Sequence, residues 1–169
     1  MMVQSPLQQA NDFRSAPFAL NPENCWKQAH ADRCSVLVDA ENYFLAFLSA
    51  LRQAKESIII LAWDIDTRVN LDPKKSHSGK EVTLKTALDD ALEKNPDLHV
   101  YILCWDFAMV YTLERQIFPQ FRASFRHPRI QFVLDAHHPF GACHHQKVVV
   151  IDDQLAFLGG LDLCLRRWD

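Results

Sequence analysis

The segment from His145 to Asp162 constrains the fold more than any other part of the chain. Its centre, Val148 to Ile151, is a short run of β-branched residues bounded by charged side chains, which predicts a strand buried on both faces. Alternate side chains of a strand share a face, so His145 and Lys147 are expected to project to one side and Gln146 to the other. The pattern therefore places an imidazole beside an ammonium group at the start of a strand.

This pair of side chains suits one kind of chemistry. An imidazole can act as a nucleophile or carry a proton near neutral pH, and a fixed cation can stabilise the charge on the oxygens of a reacting phosphoryl group. His145 and Lys147 together thus indicate a site for a phosphodiester. A histidine at a strand end is usually structural when it stands alone, and the full spacing around it is what favours a catalytic interpretation.

The spacing is specific. One residue separates His145 from Lys147, four separate Lys147 from Asp152, and six separate Asp152 from the pair Gly159-Gly160. This arrangement resembles the HKD signature of the phospholipase D superfamily. The residues that follow it, up to Arg167-Trp168-Asp169, resemble the first of the two HKD motifs in phospholipid-acting members.

The resemblance implies a role for each residue of the signature. His145 would attack phosphorus and form a phosphohistidine intermediate, and Lys147 would bind the nonbridging phosphate oxygens. Asp152, at the turn after the strand, would support the site. The resemblance implies no metal and no other cofactor.

Three further residues are expected to bind substrate. Gly159 and Gly160 lack side chains, so the backbone could approach a phosphate closely there. Asp162 follows them, and its carboxylate is expected to orient a histidine rather than to contact the phosphate.

The chain departs from the family in containing a single HKD motif. Family sites are built from two motifs, either both in one chain or one from each subunit of a dimer. None of the other seven histidines has a lysine two residues later. We therefore expect either that a second copy of the chain completes the site or that the chain is the amino-terminal half of a longer protein. A catalytically incomplete half, which folds but turns nothing over, is the alternative.

The charge balance bears on the identity of the substrate. The chain has 18 basic and 21 acidic residues and a formal net charge of −3, which offers no general attraction to nucleic acid or to an anionic membrane. Nor does it carry the basic and aromatic track of a nucleic-acid groove. A phospholipid is the expected substrate, and a nuclease acting on DNA or RNA is the alternative. Nuclease-like members more often carry Gly-Ser and an asparagine at the positions of Gly159-Gly160 and Asp162.

Composition also bears on location and on metals. The first residues lack a positively charged segment followed by an apolar one, and no apolar run approaches the roughly 20 residues that span a bilayer. A cytoplasmic or peripheral membrane location is expected. The five cysteines are scattered and lack paired Cys-x-x-Cys spacing, which predicts free thiols and no zinc site.

Strand-length apolar runs alternate with segments of helical period. Helices are predicted from Asp39, as the N-cap, to about Lys55, from about Gly79 to Lys94 and from about Met109 to Phe121. Strands are predicted at 57–63, 98–105, 130–134, 147–151 and 155–158, the last two antiparallel. This order predicts an α/β fold with a mixed, mostly parallel sheet flanked by helices. Residues 1–22 are predicted to form an N-terminal extension, and 23–169 a single domain that is truncated at its C-terminal end.

Three other residues lie near the predicted site. Trp63 follows the first strand, where α/β sheets tend to bind ligands, yet the usual burial of tryptophan favours a place in the core. His137 and His138 precede the signature, and we expect them to line the mouth of the site.

Overall fold

A computed structural model describes residues 27, 29–76, 81–106, 125–139 and 142–167. The chain divides into two units, residues 1–36 and 37–169. The described residues of the first unit contain neither a helix nor a strand. Every element named below belongs to the second unit.

Helices and strands alternate along the second unit. In chain order they are α1 (Asp39–Leu51), β1 (Ser57–Ala62), α2 (Pro73–Ser76), α3 (Leu84–Lys94), β2 (His99–Trp105), β3 (Ile130–Asp135), β4 (Val148–Ile151) and β5 (Leu155–Leu158). The ends of the strands agree with the predicted ends to within one residue.

The strands form one sheet in the order β3-β2-β1-β4-β5. β1 pairs parallel with β2 and β2 parallel with β3, whereas β4 runs antiparallel to both β1 and β5. The mixed sheet and its helices confirm the predicted α/β class. The antiparallel pairing of the last two strands is confirmed as well.

One face of the sheet forms the core with α1 and α3. Ile58 of β1 pairs with Val100 of β2, and Ile60 pairs with Ile102 of β2 and Val149 of β4, so these side chains share a face, and all five are buried. The helices contribute buried side chains at helical spacing to the same core. They are Phe44, Phe47, Leu48 and Leu51 from α1, and Leu84, Leu88 and Leu92 from α3.

The opposite face of the sheet is less buried. Val148 and Val150 of β4 are half-buried there, and Val133 and Leu158 are 54% and 76% exposed. The prediction that β4 is buried on both faces is therefore wrong for this face. A run of β-branched residues indicates that a strand forms. It does not indicate which face of the sheet the helices α1 and α3 cover.

Two helix ends follow the predicted local signals. The Asp39 carboxylate accepts a hydrogen bond of 3.0 Å from the backbone N–H of Asn42, as an N-cap side chain does. In α3 the N-cap is Thr83, whose side chain accepts from the N–H of Thr86, and Asn95 ends the helix as predicted.

Three other predictions on helices were wrong. α3 begins at Leu84, later than the predicted start at about Gly79, because Val82 and Thr83 pair with another segment: the N–H of Leu71 donates to the carbonyl of Val82 at 2.8 Å. α1 ends at Leu51, earlier than the predicted Lys55, because the backbone N–H groups of Lys55 and Glu56 bond to a carboxylate elsewhere in the fold. The short helix α2 lies in a segment predicted to be a loop, and proline at its first position suits a helix start.

Some predictions fall outside the described residues. They are the extension at 1–22, the helix at 109–121 and the motif residues Trp168 and Asp169. The proposed boundary after residue 22 stays a prediction. Among the described helices, none has the length and apolar character needed to cross a membrane.

Candidate active site

The carboxyl ends of β1, β2 and β3 share one edge of the sheet with the start of β4. Because β4 is antiparallel to β1, Val148 pairs with Leu61 near the end of β1, and Ile151 pairs with Ile58 near its beginning. The residues before β4 therefore lie beside those that follow β1. This is the edge at which α/β sheets bind ligands.

Lys147 and Asp162 form a buried ion pair at this edge. The Lys147 ammonium nitrogen lies 3.3 Å from Oδ2 of Asp162, and the two side chains are 8% and 2% exposed. The Lys147 ammonium also donates to the backbone carbonyl of His145 at 3.2 Å. One cation is thus held beside the histidine of the signature, with an anion behind it.

The chain after β1 fixes the Asp162 carboxylate. Its Oδ1 accepts hydrogen bonds from the backbone N–H of Trp63 at 3.1 Å and of Asp64 at 3.2 Å. The next residue, Leu163, accepts through its carbonyl from the N–H of Asp66 at 2.9 Å. The structure pairs Asp162 with Lys147, and the expectation that Asp162 orients a histidine stays a prediction.

Trp63 lies against two residues of the signature, His145 and Lys147. Its ring centroid is 5.8 Å from the ring of His145, edge to face, and 5.7 Å from the Lys147 ammonium nitrogen. Trp63 also stacks on Trp105, with the ring centroids 5.8 Å apart and an angle of 20° between the ring planes. The prediction of a core tryptophan was wrong, because Trp63 is half-buried at the sheet edge and forms a wall of the site.

The glycine pair leaves open space next to the site. Gly159 and Gly160 are exposed, and a Cβ added at either would meet no atom within 4 Å. The backbone N–H of Gly159 donates to the carbonyl of Lys147 at 3.2 Å, which keeps the pair beside the signature. Packing within the chain therefore does not require glycine at these two positions.

Asp152 lies at the opposite end of β4. Its carboxylate accepts hydrogen bonds from the backbone N–H groups of Lys55, Glu56 and Ser57 at 2.9, 2.8 and 2.9 Å. At about 3.3 Å per residue, β4 separates Asp152 from Lys147 by about 16 Å. Asp152 was expected to support the site rather than to attack, and its role in the site stays a prediction. Asp152 anchors the strand that carries the signature.

These hydrogen bonds also set the charge of Asp152. Burial alone would raise the pKa of the Asp152 carboxyl, but the N–H groups of Ser57, Glu56 and Lys55 favour the carboxylate. Their combined effect lowers the pKa of Asp152.

A histidine and carboxylate pair lies on the far side of the two tryptophans. His138 Nε2 is 3.0 Å from Oδ1 of Asp106 and 3.1 Å from the indole Nε1 of Trp105. The hydrogen bond with Asp106, and then that with the carbonyl of Pro139, raises the pKa of His138. His138 thus contacts the aromatic wall of the site, whereas the His137 side chain is exposed.

His144, next to the signature histidine, faces the end of β3. Its Nδ1 is buried, lies 3.7 Å from Oδ2 of Asp135, and forms no hydrogen bond with any described residue. The neighbouring His145 side chain is exposed. Of these two adjacent histidines, His145 is the one that a substrate can reach.

Burial and the charge of Asp162 affect two neighbouring groups. Burial, followed by the negative charge of Asp162, raises the pKa of Tyr43 on α1. Burial also raises the pKa of the Cys164 thiol. Both groups therefore stay neutral near pH 7, whereas Arg167 and Asp64 add charges of opposite sign beside Cys164.

Sequence reasoning missed Asp106 and His144 as neighbours of the site. Asp106 directly follows β2, and His144 faces Asp135 at the end of β3. Polar residues at the carboxyl ends of adjacent parallel strands meet at one edge. Applying that rule to all three parallel strands would have identified the carboxylates.

Comparison with known proteins identifies relatives. No family model matches the chain. The chain is 33% identical over 136 residues to phospholipase D C of Dictyostelium discoideum, which covers 78% of this chain and 8% of that protein. It is 31% identical over 149 residues to a phospholipase D of Phytophthora infestans, with coverage of 78% and 8%. With phospholipase D2 of Bos taurus the identity is 29% over 134 residues, with coverage of 78% and 14%.

The likeness to solved structures is weaker than the likeness to these relatives. NucT from Helicobacter pylori aligns with a TM-score of 0.48 and 17% identity over 75% of this chain and 71% of that one, a likeness too low to support a conclusion. The curated relatives carry the assignment, although the chain spans only 8% to 14% of the three named above. Their similarity covers about three quarters of the chain. The chain belongs to the phospholipase D superfamily.

Proposed function

We propose that this chain provides one half of the active site of a phospholipase D-type phosphodiesterase that acts on phospholipids. The observation that carries the proposal is the buried Lys147 and Asp162 pair beside the accessible imidazole of His145. Relatives that are named phospholipase D support the reaction class. Because the chain spans a small part of those relatives, both the activity and the phospholipid substrate are proposals.

His145 is the proposed nucleophile. Its exposed ring lies at the site edge, where a nitrogen lone pair can attack phosphorus, and the phosphorus to oxygen bond of the headgroup breaks as the bond to nitrogen forms. Water or an alcohol then attacks the phosphohistidine and restores the imidazole. Hydrolysis and transfer to an alcohol differ only in this second step.

Lys147 is the proposed phosphate-binding cation. The ion pair with Asp162 fixes the position of the Lys147 ammonium before a phosphate binds. The cation therefore does not have to be ordered when the substrate arrives. Low solvent exposure strengthens its attraction for the charge that builds up on the phosphate oxygens in the transition state. The open space at Gly159 and Gly160 leaves room for those oxygens.

The leaving group needs a proton, and the resemblance assigns that role to the histidine of a second HKD motif. We propose that this motif comes from a second copy of the chain or from another segment of a longer protein. In a homodimer, the two His145 side chains would face each other across the two-fold axis. Contact with a lipid bilayer would be peripheral.

Headgroup release tests the proposal. The purified chain is incubated with phosphatidylcholine vesicles, and choline release is measured while light scattering gives the mass of the chain in the same sample. His145→Ala removes the nucleophile, and His99→Ala is the matched control because His99 is exposed at the start of β2, the end of the strand away from the site. An added primary alcohol detects transfer.

The outcomes separate the alternatives. Choline release that disappears in His145→Ala, persists in His99→Ala and follows a dimer supports a site completed by two copies. A folded monomer without activity would indicate a catalytically incomplete half. Cleavage of a DNA or RNA oligonucleotide in place of the lipid, with affinity that falls steeply as salt rises, would overturn the phospholipid assignment.

A further inference from the structure

We propose that His138 is a positioning residue that holds Trp105 in place behind Trp63 and His145. When His138 takes up a proton, it exchanges Trp105 for Asp106 as its hydrogen-bond partner. The effect on His145 rests on the function proposed above. The exchange of partners is a property of the folded chain and can be measured without any activity.

A continuous series of ring contacts joins His138 to the nucleophile. The His138 and Trp105 ring centroids are 6.0 Å apart, and the Trp105 indole donates to His138 Nε2 at 3.1 Å. Trp105 stacks on Trp63 at 5.8 Å, and Trp63 meets His145 edge to face at 5.8 Å. A shift of the Trp105 ring would therefore be transmitted to the imidazole of His145.

The geometry at His138 specifies two protonation states. Nδ1 lies 3.2 Å from the carbonyl oxygen of Pro139, which can only accept, so Nδ1 carries a proton in both states. In the neutral ring, Nε2 is then an acceptor and takes the indole N–H of Trp105. That lone pair also faces the Oδ1 of Asp106 at 3.0 Å, which is an unfavourable contact between two acceptors.

Protonation reverses these contacts. A proton on Nε2 is donated to Asp106, and the resulting ion pair is a charge-assisted hydrogen bond. The Trp105 indole N–H then faces another donor, so its bond to His138 is lost. One proton therefore strengthens the contact with Asp106 and releases Trp105.

The charged groups around His138 favour the protonated state. Asp106 contacts it directly, and Asp135 at the end of β3 adds a second negative charge, while His144 also faces Asp135. These contacts raise the pKa of His138, although its partial burial acts in the opposite direction. The exchange is thus expected above the ordinary histidine pKa of about 6.5, with Trp105 held at the higher pH.

Nuclear magnetic resonance of the indole N–H groups tests the exchange on the full chain. The Trp105 signal, assigned with Trp105→Phe, is followed from roughly pH 5 to 9. We expect a single titration that His138→Asn abolishes and His137→Ala leaves unchanged. Asp106→Asn should move its midpoint down by about one pH unit, because the stabilising negative charge is lost. A Trp105 signal without titration in the wild type, or with the same titration in His138→Asn, would overturn the exchange.

Kinetics test the positioning role. If the chain releases headgroup, His138→Asn is expected to lower kcat by about tenfold because His145 is misplaced, with KM nearly unchanged because Lys147 still binds the phosphate. A wild-type kcat in His138→Asn would overturn the positioning role. A chain that shows the titration but releases no headgroup would contradict only the proposed function, so the two failures are distinguishable.

Discussion

At the scale of single residues, Lys147 and Asp162 form an ion pair that is almost completely removed from water. Breaking such a pair by deleting one partner costs about 3 to 5 kcal/mol, because a buried charge is left without compensation. Asp162 also accepts from the backbone N–H groups of Trp63 and Asp64, so its deletion would leave two more polar groups without an acceptor. Asp162 is therefore expected to matter for folding as well as for chemistry.

We predict that Asp162→Ala lowers the free energy of unfolding by about 3 to 5 kcal/mol. Asp162→Asn should cost less, since its amide oxygen can still accept from Trp63 and Asp64 although the charge is gone. Urea unfolding at pH 7 measures both. The control is Asp90→Ala on the exposed side of α3, expected to change stability by less than about 0.5 kcal/mol. Equal stability of Asp162→Ala and the wild type would show that the pair is not buried in solution.

Asp152 gives a second prediction, on pH. Its pKa is lowered in the folded chain, so it contributes stability that is present above its unfolded pKa of about 3.9 and is lost as pH falls through the folded value. Asp152→Asn should destabilise the chain at pH 7 by about 2 kcal/mol, because its amide can accept from only some of the three N–H groups. The variant should also lose less stability on acidification below about pH 4.

Unfolding curves at several pH values measure this effect. Asp153→Asn, at the exposed neighbouring position, is the control and should keep the wild-type pH dependence. Parallel curves for Asp152→Asn and the wild type down to pH 3 would contradict the prediction.

Residue roles could be predicted from the sequence only in part. The spacing from His145 to Asp162 identified the side chains, and the structure brings Lys147 and Asp162 together. The spacing could not show which of these side chains contact each other, because that depends on the order of the strands in the sheet. Asp152 belongs to the same signature as His145, yet the two residues lie at opposite ends of β4. The sequence favoured a core position for Trp63. Composition does not show whether the end of a strand is covered by a helix or is open to solvent.

At the scale of elements, β4 and β5 form a hairpin that joins the site to its anchor. Asp152 and Asp153 at its turn both have φ of 53°, the left-handed region that turns of type I′ require. Glycine adopts this region without the steric cost that a Cβ brings. Asp152 compensates through its three hydrogen bonds, whereas the Asp153 side chain is exposed.

We therefore predict that Asp153→Gly stabilises the chain by about 1 kcal/mol. The gain should appear as a higher urea midpoint with an unchanged dependence on urea concentration. Asp152→Gly is the matched contrast, and it should be destabilising because the three backbone N–H groups lose their acceptor. If both variants shift stability in the same direction, the backbone conformation alone would determine the turn.

Elements were predicted more reliably than their surroundings. Runs such as Ile58 to Leu61 combine β-branched residues with strand length, so local composition was sufficient to place them. The end of α1 could not be predicted in this way. The N–H groups just beyond it bond to Asp152, nearly a hundred positions away in the chain, and no local signal reports such a contact.

At the scale of the whole molecule, the single HKD motif raises the question of what completes the site. If two copies share one site, each active unit needs His145 from both. Mixing wild type with an equal amount of His145→Ala under exchange conditions should then leave about one quarter of the activity rather than half, because random pairing makes one dimer in four fully wild type. Headgroup release after mixing measures this. Half of the activity would indicate that each chain acts independently.

If His145 is the nucleophile, it forms a covalent bond to phosphorus during the reaction, and intact-mass spectrometry of a rapidly quenched sample detects that bond. The sample is the fraction of the chain that releases headgroup, mixed with phosphatidylcholine and quenched at alkaline pH, and peptide mapping locates the adduct. We predict a phosphatidyl group on His145 that is absent from His145→Ala and present in His99→Ala. Headgroup release without an adduct on His145, or with the adduct on another histidine, would contradict the account.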